Sequence, residues 1–289
     1  MTQRKGFTLV EMLVVVVIIA MLAGILLPAV LRGREAARRA ECLNNQKQLA
    51  LATQQFENAR GQLPGYLNSF GGVDNLTWVI MLLPHLGEQE LWKLWRDPNR
   101  PLAAKAQAGG TTLPVVKCPS DTSIPDHGLS FVVNCGRADL NEVPGNAKLL
   151  KASGLFFNLS DDQLKSRLAI RTEAITDGAD ATIMLSENLH ASFWAPQPGP
   201  SNQVILLTRT DVGMLWTVDG AGCSRINQCR DEGDPNVLGP PPEFARPSSA
   251  HPGGVNVTFA SGRQQFLDEG IDYRVYCEMM APDDKIALP

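Results

Sequence analysis

The residues best able to do chemistry in this sequence are six cysteines, and their spacing does not favour a metal motif. No two of them form a C-x-x-C pair, and no histidine lies beside them at the spacing of zinc ligands, so we expect no metal site. An even number of cysteines fits disulfide bonds in an oxidising compartment, with buried free thiols as the alternative. The disulfide candidates are Cys42, Cys118, Cys135, Cys223, Cys229 and Cys277, of which Cys223 and Cys229 are the pair we expect first.

The histidines give no sign of an enzyme. They stand far apart in the sequence, at His85, His127, His190 and His251. There is no H-E-x-x-H motif, nucleophile elbow or P-loop. We therefore expect no catalytic residue, and we expect His251 to order the turn that follows it.

Acidic loops offer oxygen ligands instead. The stretches at 161–162, 177–180 and 231–234 carry the carboxylates that Ca²⁺ prefers, but none has EF-hand spacing. We expect solvated turns and no cofactor, with Ca²⁺ as the open alternative. Four tryptophans are expected to pack in a core, with stacking on sugars as the alternative: Trp92, Trp95, Trp194 and Trp216.

The first element that positions these residues is an apolar N-terminal segment. From Met12 to Leu31 there is no charged residue, and as a helix this segment would span ~30 Å, about the thickness of a bilayer core. A cleaved secretory signal fits less well, because its apolar region is shorter and ends in a small-x-small site. The segment therefore predicts a transmembrane helix, headed by the carboxylate of Glu11.

The helix is predicted to continue beyond the membrane. Residues 33–59 contain no proline and are rich in strong helix formers. The residues that recur at helical spacing, and so form the face predicted to be buried, are Cys42, Leu49, Ala52 and Phe56. We expect the helix to end near the breaker Gly61–Pro64, and Pro28 to kink or locally melt it.

The rest of the chain reads as short strands with few helices. Apolar runs of strand length, bounded by turn residues, are WVIMLLP, TLPVVKCP, LSFVVNCG, ATIMLSE, QVILLT, GMLWTVDG and GVNVTFASG. Helices are predicted at 87–96, 161–167 and 272–280, and the proline-rich stretches APQPGPSN and DPNVLGPPPEFARPSS are predicted to be surface loops. The fold class is therefore α+β, with a long kinked N-terminal helix packed on a largely antiparallel sheet.

The stretch RKGFTLVE, followed by the apolar run, resembles the class III signal of type IV pilins and type II secretion pseudopilins. That resemblance implies cleavage by a prepilin peptidase between Gly6 and Phe7, with methylation of the new N-terminus on Phe7. In this resemblance Glu11 corresponds to the acidic residue that the family uses for assembly, and Pro28 corresponds to a proline that recurs at this position in the family. A carboxylate four residues after a freed amine can neutralise it, on its own chain or on a neighbour's.

A second resemblance extends over nearly the whole chain, to the DUF1559 family of planctomycete pilin-like proteins. It rests on RRAECLNNQKQLALATQQFEN, WVIMLLPHLGEQELW, VKCPSD, EAITDGADATIMLSEN and SAHPGGVNVTFASGRQQFL. The last stretch resembles the family's H-X9-DG box, formed here by His251, Gly253, Gly254, Ser261 and Gly262. Ser261 replaces the family's aspartate, which removes a carboxylate but leaves Gly262 able to form a hairpin turn.

These resemblances imply a non-enzymatic, pilin-like subunit that assembles through its N-terminal helix into a filament or a secretion pseudopilus. The alternative is an anchored surface protein that binds a ligand such as polysaccharide and uses the signal only for export. The expected organisation is a leader at 1–6, a transmembrane helix at 7–31, an amphipathic stem at 32–60 and an extracytoplasmic domain at 61–289.

The expected partners are prepilin peptidase, other pilin-like subunits and the membrane. The formal net charge of −4 argues against nucleic acid. We expect a single-pass protein of the cytoplasmic membrane, with its N-terminus in the cytoplasm and its domain in the periplasm or on the cell surface. Four arginines follow the apolar segment: Arg32, Arg34, Arg38 and Arg39. Because positive charge near a membrane helix favours the cytoplasmic side, they would by themselves favour the opposite orientation. The processing signal, which implies a cytoplasmic leader, decides against that orientation.

Overall fold

A single long helix, α1, forms the N-terminal part of the protein. The computed structural model describes residues 9–70, 72–200, 203–218, 226–227 and 247–288. Helix α1 spans Leu9–Arg60 and is unbroken at Pro28, so the local melting expected there is absent. Gly61 follows with φ of +73°, and its N–H bonds the carbonyl of Glu57 at 2.7 Å, which is a glycine helix end. The predicted helix of about this length is confirmed.

The core of the domain is a five-stranded sheet. Its strands are β3 (Phe131–Arg137), β5 (Ile183–Glu187), β8 (Gly213–Trp216), β9 (Gly254–Phe259) and β10 (Gln264–Asp268). The spatial order is β10-β9-β5-β3-β8, antiparallel except for the parallel pair β3 and β8. Strands β5 and β9 are wholly buried, as expected for inner strands covered on both faces.

Smaller elements surround this sheet. A three-stranded sheet has the order β2-β1-β4, formed by β1 (Leu67–Phe70), β2 (Val73–Thr77) and β4 (Asn158–Leu159), and a two-stranded one pairs β6 (Gln197–Pro198) with β7 (Val204–Ile205). The helices of the domain are α2 (Trp78–Leu82), α3 (Gln89–Arg96), α4 (Leu102–Gly109), α5 (Ala147–Ser153), α6 (Asp162–Leu168), α7 (Arg209–Val212), α8 (Tyr273–Met280) and α9 (Asp284–Ala287). Short 3₁₀ turns lie at Leu83–His85, Pro114–Val116, Pro144–Asn146 and Thr172–Ala174.

The C-terminal half of α1 docks on the domain. It packs on β9, β5 and α2 and on the 3₁₀ turn at Pro114–Val116. The face predicted from the sequence is buried, with Leu49 wholly inaccessible to solvent and Phe56 5% exposed. Gln46 donates to the carbonyl of Asn256 at 3.0 Å and accepts from the hydroxyl of Thr258 at 2.8 Å, which ties the helix to β9. The stem and the sheet therefore form one core.

Several element predictions are confirmed and others are wrong. The runs LSFVVNCG, ATIMLSE, GMLWTVDG and GVNVTFASG contain β3, β5, β8 and β9, and α3, α6 and α8 lie where helices are predicted. WVIMLLP is wrong as a strand. The hydroxyl of Thr77 accepts from the N–H of Ile80 at 3.4 Å, which caps α2, and Pro84 stands in the 3₁₀ turn that follows. TLPVVKCP is also wrong, since Pro114 begins a 3₁₀ turn.

The two proline-rich loop predictions have different outcomes. APQPGPSN contains the short strand β6, so the prediction of a loop without strands is wrong there. Most of DPNVLGPPPEFARPSS lies outside the described residues.

Candidate functional site

The N-terminal half of α1 leaves the domain with its apolar surface uncovered. Every residue from Leu9 to Leu31 is exposed. Among the described residues, α1 is the one helix whose length and composition would allow it to cross a membrane. Glu11 lies in its first turn. Gly6 and Phe7 lie outside the described residues, so cleavage between them and methylation of Phe7 stay predictions.

The arginines after the apolar segment divide into two kinds. Arg32 and Arg34 are exposed. Arg39 instead stacks its guanidinium 3.3 Å from the ring centroid of Phe266 in β10, and Arg38 lies 4.0 Å from Glu35. Part of the basic cluster thus contacts the domain and its own helix.

Where α1 first becomes buried, four side chains with ligand chemistry meet, and we call them the junction cluster: Cys42, Cys118, Glu187 and His251. Cys42 is the first buried residue of α1, and Cys118 follows the 3₁₀ turn that packs on α1. Glu187 ends β5, and His251 lies just before β9. Four separate parts of the chain therefore supply one side chain each.

The donor atoms of the junction cluster are close together and shielded from solvent. They all lie within 4.8 Å of one another. Cys42 Sγ donates to Glu187 Oε1 at 2.9 Å, and Cys118 Sγ lies 3.4 Å from His251 Nε2. His251 Nε2 is also 3.4 Å from Glu187 Oε1. None of the four residues is more than 3% exposed, so a substrate has no access to them.

A surrounding layer of hydrogen bonds holds these side chains in place. His251 Nδ1 lies 2.6 Å from Glu35 Oε1, so Nδ1 carries the proton donated to that carboxylate. The hydroxyl of Ser120 donates to the same carboxylate. Asn256 donates to Glu187 through its backbone N–H and its side-chain amide, both at 2.9 Å. The ring and the carboxylate are therefore fixed in orientation.

The titration of the cluster follows from these contacts. The hydrogen bond with Cys42 lowers the pKa of Cys118 to about 6, an effect that His251 reinforces. Burial by itself lowers the pKa of His251, but hydrogen bonds with Cys118 and Glu187 outweigh it and raise the pKa to about 10. Burial raises the pKa of Cys42. These contacts thus favour the charged forms of Cys118 and His251.

Three of the six cysteines do not form the disulfide bonds expected of them. Cys42, Cys118 and Cys135 are free buried thiols, which corrects the expectation for them. Cys42 and Cys118 are engaged in the junction cluster, and Cys135 lies in β3, where burial raises its pKa. Cys277 Sγ is 3.8 Å from the carbonyl of Thr217. Cys223 and Cys229 lie outside the described residues.

The remaining residues of the H-X9-DG-like box form the hairpin of β9 and β10. Gly253 has φ of +85°, and a Cβ on Gly254 would overlap the carbonyl oxygen of Leu267. Gly262 has φ of +84° in the turn between the strands, and Lys47 of α1 donates to its carbonyl at 2.9 Å. The hydroxyl of Ser261 accepts from the N–H of Arg263 at 3.3 Å. The box therefore builds the hairpin on which the stem rests.

The other sequence candidates have structural roles. Asp161 caps α6, and Asp177 accepts from the backbone N–H of Asp284 at 2.7 Å. The acidic stretch at 231–234 lies outside the described residues. The four tryptophans named above are buried, with Trp92 the most exposed at 8%. These four side chains are therefore too buried to stack on a sugar.

Sequence reasoning missed the junction cluster. The partners Cys42 and Glu187 are 145 positions apart, and Cys118 and His251 are 133 apart, so no local spacing pattern reveals them. Two acidic residues of the site, Glu187 and Glu35, were not singled out at all. The usable signal was that VKCPSD, EAITDGADATIMLSEN and SAHPGG each carry one member of the cluster.

Comparisons with known proteins agree with both sequence resemblances. A family model described as "Protein of unknown function (DUF1559)" matches residues 32–274, and one described as "Prokaryotic N-terminal methylation motif" matches residues 1–27. No curated protein and no solved structure matches the chain. The larger match contains the whole junction cluster and both strands of the hairpin.

Proposed function

Because the chain belongs to the DUF1559 family and begins with a prokaryotic N-terminal methylation motif, we propose that it is a non-enzymatic pilin- or pseudopilin-like subunit. The motif marks the chain for prepilin peptidase, for association with the membrane and for export as a pilin-like protein. In this proposal, the peptidase cuts between Gly6 and Phe7. The helices of many copies then leave the bilayer and pack together, and the domains cover the outside of the filament or pseudopilus.

One observation carries the proposal: the exposed apolar segment and the docked stem are a single unbroken helix. Removing a large aliphatic side chain from water gains about 1.5–3 kcal/mol, so residues 9–31 together favour a lipid or helix-packed environment by tens of kcal/mol. Because the same helix is built into the core of the domain, packing these segments against one another also fixes the positions of the domains.

The carboxylate of Glu11 can align the α1 helices of neighbouring copies. Cleavage leaves a charged amine on Phe7, within an apolar layer where an unpaired charge is costly. A carboxylate in the first turn of α1 can neutralise the amine of a neighbouring copy. Pairing between copies would set the axial position of each helix against the next.

The test compares two alanine variants of α1 in the native cell. Glu11→Ala should be cleaved and inserted normally but absent from sheared filament fractions. Glu41→Ala changes an exposed glutamate of the same helix beyond the apolar segment, and it should assemble like the wild type. Mass spectrometry of the mature N-terminus checks the cleavage and methylation of Phe7 in each variant.

Two results would overturn the proposal. A normal filament yield from Glu11→Ala would remove the role given to its carboxylate. Recovery of wild-type chains that are processed and anchored but never cross-link to one another would show that the signal serves export alone, as in an anchored surface receptor.

A further inference from the structure

The junction cluster contains a complete ligand set for a metal ion, although no metal site is expected from the sequence. Two thiols, an imidazole and a carboxylate converge within 4.8 Å of one another. Sulfur and imidazole ligands select transition metals, whereas Ca²⁺ and Mg²⁺ require oxygen. Four protein ligands with no solvent access are typical of structural zinc sites rather than catalytic ones, which keep an open position.

Two of the distances between donors are near those of a tetrahedral zinc site. Zinc–ligand bonds of about 2.3 Å to sulfur and about 2.0–2.2 Å to nitrogen and oxygen place adjacent donors about 3.3–3.8 Å apart, with two sulfurs at the upper end. The distance from Cys118 Sγ to His251 Nε2 is 3.4 Å, and that from His251 Nε2 to Glu187 Oε1 is also 3.4 Å. The 2.9 Å from Cys42 Sγ to Glu187 Oε1 must lengthen by about 0.7 Å, and the other three donor pairs lie within 4.8 Å of one another.

The hydrogen bonds around the cluster match those that orient metal ligands. A ligating histidine usually donates its second ring N–H to a carboxylate, which fixes the ring and its tautomer. Here Glu35 Oε1 lies 2.6 Å from His251 Nδ1 and leaves Nε2 pointing into the cluster. Glu187 is held by the backbone and side chain of Asn256. The ligands are therefore positioned before any ion binds.

We propose that the junction cluster binds one Zn²⁺ ion through Cys42 Sγ, Cys118 Sγ, His251 Nε2 and Glu187 Oε1, with Glu35 as the positioning residue for His251. Binding displaces the protons held by the Cys42 thiol and by Nε2. The ion joins α1 to three other segments of the domain, at the point where the helix leaves it. The proposal is independent of assembly, because it concerns the attachment of the stem to its own domain.

The test measures metal in the full chain, extracted from membranes in detergent. After incubation with Zn²⁺ and removal of excess ion, elemental analysis should give about one zinc per chain. Replacement by Co²⁺ should produce thiolate-to-cobalt charge-transfer absorption. Cys118→Ser should abolish both signals, whereas Cys135→Ser should keep both, because Cys135 is an equally buried cysteine outside the cluster.

Glu35→Gln keeps the test decisive should the cysteine variant fail to fold. Loss of an outer carboxylate typically costs about 10–100-fold in metal affinity. We expect a decrease of that size in competition with a chromophoric chelator, and no decrease for Glu41→Gln on an exposed part of the same helix.

Three outcomes would overturn the proposal. The first is a wild-type chain that retains neither zinc nor cobalt. The second is a non-reduced digest in which Cys42 and Cys118 are joined in a disulfide, which would make the cluster a redox-formed cross-link. The third is an unchanged zinc affinity in Glu35→Gln, which would remove the role of Glu35.

Discussion

Leu49→Ala should destabilise the domain strongly, because Leu49 belongs to the core although it lies on the same helix as the exposed apolar segment. Its side chain is wholly buried in the stem of α1. Leu51, on the same helix, is 45% exposed and provides a matched control. The two residues differ in the face they occupy and not in chemistry, so comparing them tests the docking of the stem.

The expected magnitude follows from cavity formation. Replacing a buried leucine by alanine costs about 2–5 kcal/mol, because the transfer energy of the lost carbons is added to the cost of the space left behind. For a domain of this size, each kcal/mol shifts the midpoint of thermal unfolding by about 2–4 °C. We therefore expect Leu49→Ala to lower the midpoint by about 6–12 °C for a central cost of ~3 kcal/mol. Leu51→Ala should lower it by less than about 2 °C, as is usual for a surface substitution.

The assay is thermal unfolding of the full chain in detergent, followed by near-ultraviolet circular dichroism at a fixed metal concentration. That signal reports the packing of the aromatic core of the domain rather than the helicity of the exposed apolar segment. Equal shifts for Leu49→Ala and Leu51→Ala would refute the assignment of the buried face. A negligible shift for both would show that the domain folds without the stem.

Two further predictions concern contacts of the stem and the turns around it. Glu57→Ala should destabilise the domain by about 2–4 kcal/mol, because Glu57 accepts hydrogen bonds from both the N–H and the hydroxyl of Thr172 at 2.6 Å. The control is Glu173→Ala, which changes an exposed glutamate and should cost less than about 1 kcal/mol in the same unfolding assay. Burial, and next the charge of Arg60, lower the pKa of His85, so the unfolded chain binds its proton more readily than the folded one. The contribution of His85 to the free energy of unfolding is therefore intact above its ordinary pKa of 6.5 and is lost as the pH falls below it. The unfolding midpoint of His85→Gln should accordingly decline less from pH 7 to pH 5 than that of the wild type. A decline of the same steepness in both proteins would contradict this assignment.

The parts of the fold that the sequence predicts are those with a local signal. The buried face of α1 is visible as a helical repeat, and β3, β5 and β9 are short apolar runs with turn residues at both ends. The wrong predictions have the opposite property. Residues 78–83 of WVIMLLP are all apolar and buried, so the run has no pattern of polar and apolar positions that separates a helix from a strand. The hydroxyl of Thr77 and the ring of Pro84 favour a helix there.

The junction cluster could not be predicted because its geometry depends on tertiary structure. Bringing Cys42 to Glu187 requires the docking of α1 on the sheet, and bringing Cys118 to His251 joins positions 133 apart; a single sequence specifies neither. The H-X9-DG-like box did direct attention to His251. The turn that follows it is built by Gly253 and Gly254, whereas the ring of His251 itself faces the stem through Glu35.

The stem of α1 packs on a hairpin that lies more than 200 positions later in the sequence, and that has a consequence for biosynthesis. Gln46, near the start, bonds Asn256 across 210 positions, and Leu43 accepts from Gln264 across 221. The ribosome must therefore make the residues up to 268 before the hairpin that covers the stem can form. Contacts this distant in sequence form slowly, so the hairpin closes on the stem late in folding. If the domain is exported as we propose, late closure would keep it competent for translocation until its last strands have crossed the membrane.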